Sequence, residues 1–316
     1  MKLHLDTDLG GDIDDLCALA MLLRWPGEVE ITGITTVAEH GGKRAGYVRY
    51  ALDLEGGEGI PVAAGTDVSE IPYRYPMLLP PEDRYWPEPI AAAPGPVSGA
   101  LELLKSSIEQ GAVIVGIGPY TNLALLERAH VGILAQAKVV LMGGFLHSPP
   151  PGYPAWTREH DFNVQSDVAS ARFVFESCSP TLVTLAATAQ TALRETHVPR
   201  LESAGALGKL IARQAVAQAE DEQIQTLHAG DEKVPPDMLN FQHDPLACAI
   251  ALGWKDGATI EDVAILSEEK EGWLIQRVDP SGRPMQVVTK VDGAGFSEFW
   301  IETVLAMESE PVDPRL

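Results

Sequence analysis

The chain reads as an α/β protein: an open, mostly parallel, Rossmann-like sheet flanked by helices, with a small antiparallel edge element near the C-terminal end. Three observations predict this. Short apolar runs alternate with segments of helical periodicity, the pattern of βαβ units. The 316 residues are 45% hydrophobic, which is enough for one large core. Acidic and polar residues follow several apolar runs directly, where parallel sheets place their ligands.

Each element has its own justification. "KLHLD" is a first strand, and "DDLCALAMLLRW" the helix after it, stopped by Pro26-Gly27. "VEITGITTVA" (29–38) is a second strand and "GGKRAGYVRYALDLEG" (41–56) a second helix, followed by a short strand in "IPVAAGT" (60–66). A proline-rich stretch from Val68 to about Pro96 is too long for a routine loop, which suggests a functional one. "GALELLKSSIEQG" is helical. "AVIVGIGPYTNLALLERA" gives a buried strand, a turn at Gly118-Pro119 and a helix. "AKVVLMGG" (137–144) is another buried strand, with the irregular insertion "FLHSPPPGYPAWTREHDFN" after it. "DVASARFVFES" is a helix and "TLVTLAA" (181–187) a strand. Residues 198–240 read as polar helix, with "QAEDEQIQT" solvated. "DPLACAIALGW" (244–254) is a helix opening on a carboxylate, which its positive end favours. "VAILSEE", "GWLIQRV" and "MQVVTKVD" form the antiparallel edge, and "SEFWIETVLAME" is a closing helix. Trp254 and Trp273 occupy core-like positions. No repeat or linker divides the chain, so residues 1–316 are expected to form a single domain.

Composition narrows the function. With 23 basic and 45 acidic residues the net charge is −22, which disfavours nucleic acid and anionic membranes as partners. It suits a neutral or cationic small molecule, or a bound divalent cation. Cys17, Cys178 and Cys248 are scattered and odd in number, so neither a disulfide framework nor a zinc site is indicated. The N-terminus enters a strand directly, and no apolar run reaches membrane-span length. A soluble, cytoplasmic protein is expected.

The segment "HLDTDLGGDIDDLCALAMLL" (4–23) carries the chemistry. Asp6, Asp8, Asp12, Asp14 and Asp15 lie within ten positions. Two like charges about 4 Å apart repel by roughly 4 kcal/mol at an effective dielectric near 20. Such a cluster needs a cation among the carboxylates or protons on some of them. An EF-hand loop fails because Cys17 stands where its closing glutamate belongs. A haloacid-dehalogenase-type phosphatase would use Asp6 and Asp8, yet it leaves Asp14 and Asp15 idle and lacks a lysine between Lys43 and Lys105. Helix capping accounts for one or two aspartates but not five.

The arrangement D-x-D-x-G followed by D-D at a helix start resembles the N-terminal fingerprint of the nucleoside hydrolases. "ITTVA", "GPYTNLAL" (118–125), "LMGG" (141–144), "DFNVQSDVASA" (161–171) and "HDPLA" (243–247) recur in that family's order, from residue 6 to residue 247. The resemblance implies calcium-dependent hydrolysis of the N-glycosidic bond of a nucleoside or analogue, giving sugar and free base. A nucleoside- or sugar-binding homologue without turnover is the non-enzymatic alternative. The implied calcium ligands are Asp8, Asp15, the backbone carbonyl of Thr121, and Asp244. The resemblance also implies Asp8 as general base, His243 as acid toward the leaving base, and Asp14, Asp161 and Asn163 on the sugar hydroxyls. A homodimer or homotetramer is implied as well.

The chain departs from the family pattern in several places. The spacing from Asp8 to Asp14 is two residues longer, so Asp12 inherits no role. Glu39-His40 stands where the best-known members have asparagine after the second strand, which makes His40 the candidate sugar contact. Another asparagine is replaced near Ala155 or Trp156, and Asp161 stands where glutamate is usual. Trp86 and Trp156, with Tyr85 and Tyr153 beside them, are the aromatic candidates for stacking on a base.

Overall fold

The computed structural model describes residues 1–69 and 72–306. The strands among them are β1 (Lys2–Thr7), β2 (Glu30–Thr36), β3 (Val62–Ala64), β4 (Val113–Gly116), β5 (Val139–Met142), β6 (Thr181–Val183), β7 (Leu193–Arg194), β8 (Met238–Asn240), β9 (Ala258–Lys270), β10 (Trp273–Val278) and β11 (Arg283–Val291). Nine of them form one sheet in the order β10-β9-β11-β6-β5-β4-β1-β2-β3, while β7 and β8 make a small antiparallel ladder. Strands β1 to β6 pair in parallel. The C-terminal strands form the expected antiparallel edge: β11 lies parallel to β6, and β9 and β10 add to it antiparallel as one end of the main sheet.

Burial explains why the short strands are apolar throughout. Both faces of β4 and β5 are covered, and every residue of these strands is buried. The helix Asp14–Leu23 buries nine of its ten residues, packing against helices His243–Ala251 and Gly205–Asp221. An apolar stripe would satisfy a surface helix; "LCALAMLL" is apolar all round because this helix is enclosed.

Strand order fixes where a ligand can enter. From β1 the chain moves outward through β2 and β3, then restarts at β4 on the other side of β1 and moves through β5 and β6. The connections after β1 and β4 therefore diverge, and a crevice is left beyond the carboxyl ends of these neighbours. The residues after β1 are Asp8 and its loop; those after β4 lead to Thr121.

Some segments differ from their sequence reading. "TLVTLAA" is strand only to Val183, and Leu185–Thr188 is a helical turn; β5 beside it ends at Met142, where Gly143 and Gly144 turn away with positive φ. "QAEDEQIQT" is not simply solvated, since Gln218 and Ile224 are buried. Trp273 is half-buried rather than core, and Arg74 lies 3.8 Å over its ring. The closing helix runs Gly293–Leu305; the last two residues of its predicted span, 307 and 308, lie outside the described residues. No helix among the described residues is long and apolar enough to cross a membrane.

Candidate active site

A crevice of about 330 Å³ opens at the divergence of the β1 and β4 connections, and Asp8, Asp14, Asp15 and Asp244 line it. All four are buried. Asp8 leaves β1 through a turn that only glycine permits. Gly10 has φ +105°, and a Cβ there would meet the Tyr47 ring at 2.5 Å. Across the crevice Gly118 plays a matching part, because a Cβ on it would lie 2.8 Å from Asp8 Oδ1. Asp14 and Asp15 open their helix without capping it. Asp14 Oδ2 accepts from the Asp244 backbone N–H at 3.3 Å, and Asp15 Oδ1 accepts the Thr7 hydroxyl.

The electrostatics answer why the carboxylates gather. Asp14, Asp15 and Asp244 each offer an oxygen within 4.8 Å of the other two. Two oxygens sharing one calcium-sized cation are at most about 5 Å apart, and the donor set is all oxygen, so the site fits a hard divalent cation. Burial first, then the neighbouring carboxylates, pushes all three acids well above the ordinary carboxylate range. Burial raises Asp8 to about 6, opposed chiefly by the Arg44 guanidinium. Below them Asp6 accepts from Thr35 Oγ1 at 2.6 Å and Asn122 Nδ2 at 2.8 Å. Its Oδ2 has no partner, and burial raises it to about 7. The trio contains Asp14, which the sequence reading gave to the sugar, while Asp8 lines the same crevice beside it.

The other sequence-picked residues divide. His243 lines the crevice with Nδ1 held by Thr188 Oγ1 at 2.7 Å, which leaves Nε2 for a ligand. Burial lowers it to about 4, and the charge of Asp12 resists that shift. Asn163 lines the crevice and donates Nδ2 to the carbonyls of Ile117 (3.0 Å) and Met142 (3.2 Å). Trp156 stands at the side, its ring 5.7 Å from that of His243 and 4.8 Å from that of Phe241. The Thr121 hydroxyl donates to Asp167 Oδ2 at 2.7 Å.

Four residues are placed against their sequence reading. Trp86 is 1% exposed and stacks on Tyr47 at 4.2 Å, so its face is closed to a nucleobase. Tyr85 beside it is also buried. Asp161 is 1% exposed, with its oxygens taken by the backbone N–H groups of Gly144 (2.8 Å) and Val164 (3.4 Å), so it caps a helix instead of facing the crevice. His40 turns its Nε2 to the Met77 carbonyl and braces a loop.

Sequence reasoning missed Arg44, Gln218 and Glu222, all of which line the crevice. Arg44 is 1% exposed and donates to the carbonyls of Asp8, Leu9, Ala38 and Met77, tying the acidic loop to the proline-rich segment. A helical arginine reads as solvent-facing, and nothing local contradicts that. Gln218 and Glu222 sat inside the run taken as solvated; the one signal was the apolar spacing of the helix before them.

Comparison with known proteins agrees with this geometry. The model of the inosine-uridine preferring nucleoside hydrolase family matches residues 3–298. The chain belongs to that family. It is therefore a hydrolase acting on N-glycosyl bonds, and the phosphatase alternative falls away. Among curated relatives, the pyrimidine-specific ribonucleoside hydrolase RihA of Salmonella paratyphi A is 30% identical over 226 residues, 67% of this chain and 68% of its own. The Escherichia coli RihA is 30% identical over 222 residues, covering 66% and 67%. Among solved structures, a purine-preferring ribonucleoside hydrolase from Gardnerella vaginalis superposes with TM-score 0.76 at 24% identity, over 96% of this chain and 98% of its own. A plant nucleoside hydrolase gives TM-score 0.75 at 18% identity, over 97% and 99%. These last two likenesses speak for the fold alone.

Proposed function

We propose that this nucleoside hydrolase cleaves a ribonucleoside to sugar and free base, with a calcium ion held by Asp15, Asp244 and either Asp8 or Asp14. The observation that supports this most is the buried carboxylate trio at the sheet's switch point, whose repulsion a cation relieves. When bound, the ion supplies charge neutralisation and Lewis acidity toward oxygen ligands.

The rest of the chemistry belongs to side chains. N-glycoside cleavage passes through an oxocarbenium-like sugar, and buried carboxylates around the ring stabilise that positive charge as it grows. Asp8 takes a proton from the attacking water as the water oxygen bonds to the anomeric carbon; the C–N bond breaks, its electron pair leaves with the base, and the base nitrogen takes up a proton. Without the ion, burial raises Asp8 to about 6; a cation beside it favours the ionised form, which is the form that acts as a base. His243 presents Nε2 to the departing base while Thr188 holds its other nitrogen. Asp14 and Asn163 face the sugar hydroxyls. Met77, Leu78 and Phe162 give the crevice apolar walls suited to a planar base. The family resemblance supports a homodimer or homotetramer.

The test is reducing-sugar release from a nucleoside panel by calcium-loaded protein, beside Asp8→Ala. Turnover by wild type with a loss of at least about 10³-fold in the variant supports the reading. No release from any nucleoside overturns it.

A further inference from the structure

We infer that Asp12 and Glu222, bridged by Gln218, form an acceptor-only wall of the crevice that selects the leaving base by an amino N–H edge. The inference rests on the nucleoside cleavage proposed above and adds a substrate class to it.

Gln218 is 2% exposed, and its polar atoms are all engaged. Its Nε2 donates to Asp12 Oδ1 at 2.8 Å and to Glu222 Oε1 at 3.0 Å, while its Oε1 accepts from the Ile13 backbone N–H at 3.0 Å. Asn240 Nδ2 donates to the same Asp12 oxygen. Asp12 is thereby fixed by a strand and a helix more than 200 residues away in sequence, although it lies in an exposed loop. Among the described residues neither Asp12 Oδ2 nor Glu222 Oε2 has a hydrogen-bond partner, and both side chains line the crevice. Among the side chains of Asp12, Gln218 and Glu222 no donor remains to face a ligand, because both N–H groups of the Gln218 amide are spent on the two carboxylates. Arg44 lies on another part of the crevice lining and gives four of its five N–H groups to backbone carbonyls.

An acceptor-only wall discriminates between two kinds of base. An exocyclic amine carries two N–H groups, one for each free carboxylate oxygen, and hydrogen bonds to charged acceptors are the stronger ones. An oxo group at the same place sets its lone pairs against two carboxylates, which repel it. Aminopyrimidine and aminopurine nucleosides are therefore preferred over their oxo counterparts. This opposes the preference in the family's own description. It also gives Asp12, which lies in the two-residue extension of the acidic loop, a task of its own.

The experiment measures kcat/KM of the calcium-loaded enzyme for cytidine against uridine and adenosine against inosine, in wild type, Asp12→Asn and Glu222→Gln. The wild type is expected to prefer the amino member of at least one pair by about tenfold or more. Each substitution should reduce that ratio about tenfold, chiefly through KM, with an unchanged melting temperature. An amino-to-oxo ratio of one or less in wild type, or a ratio unmoved by both substitutions, overturns the inference and leaves nucleoside cleavage standing. No cleavage of any of the four removes that function and the inference together.

Discussion

Replacing Asp15 with asparagine is expected to make the metal-free protein more stable while removing its response to calcium. Asp15 lies within 4.8 Å of both Asp14 and Asp244 through their ligand oxygens. At an effective dielectric near 20 each pair of full charges at that separation repels by about 3 kcal/mol. Burial and mutual repulsion already push both neighbours well above the ordinary carboxylate range, so the full sum is not recovered. A net gain of about 3 kcal/mol follows, or roughly 5 °C in melting temperature for a chain of this size. Asparagine keeps an oxygen for the Thr7 hydroxyl, so the fold loses little. The assay is thermal denaturation at pH 8 in chelator and again with millimolar calcium. Wild type should melt lower than the variant in chelator and gain more from calcium, reversing their order. A variant that melts lower in chelator, or that gains as much from calcium as wild type, would refute the reasoning that repulsion is what the cation relieves.

Three further outcomes follow from buried groups around the crevice. Burial lowers His4 to about 3 from an unfolded value near 6.5, so its contribution is complete above pH 6.5 and is lost as pH falls toward 3. Between pH 7 and 5 that loss is about 2 kcal/mol, and in urea denaturation the stability of wild type relative to His4→Gln should fall by that amount between the two pH values; a relative stability that does not change with pH would refute it. Arg44→Met should lower stability by about 3 kcal/mol or more, because four backbone carbonyls lose their donor; an unchanged urea midpoint would count against that clamp. Gly118→Ala puts a methyl 2.8 Å from both Asp8 Oδ1 and Val37 Cγ1, and kcat should fall at least about tenfold with a smaller proportional change in KM. Kinetics equal to wild type would show that Asp8 has room to move.

Much of the architecture was legible because it is local. Apolar runs in "AVIVG" and "KVVLM" become strands buried on both faces, and "DDLCALAMLL" becomes a helix enclosed on all sides. The acidic floor was legible for a related reason: five aspartates in ten positions have few uses that do not involve a cation. Trp86 and Asp161 were misread because each was judged by type alone. An aromatic in a long loop suits stacking on a base, but here a tyrosine from the helix Lys43–Asp53 occupies its face. A carboxylate before "FN" suits a sugar hydroxyl, but here two backbone N–H groups reach it first.

By itself the sequence determined the order of strands and helices, the acidic loop and the oxygen-only chemistry of the site, since each depends on neighbours a few positions apart. Only the tertiary structure decided which polar groups still have hydrogen-bonding capacity to offer a ligand. That capacity is what remains after distant segments have taken their share, as when Gln218 and Asn240 fix one oxygen of Asp12, a residue that lines the crevice, and leave its other oxygen without a protein partner. Saturation of donors and acceptors is a non-local sum, and it closes only when the chain is folded.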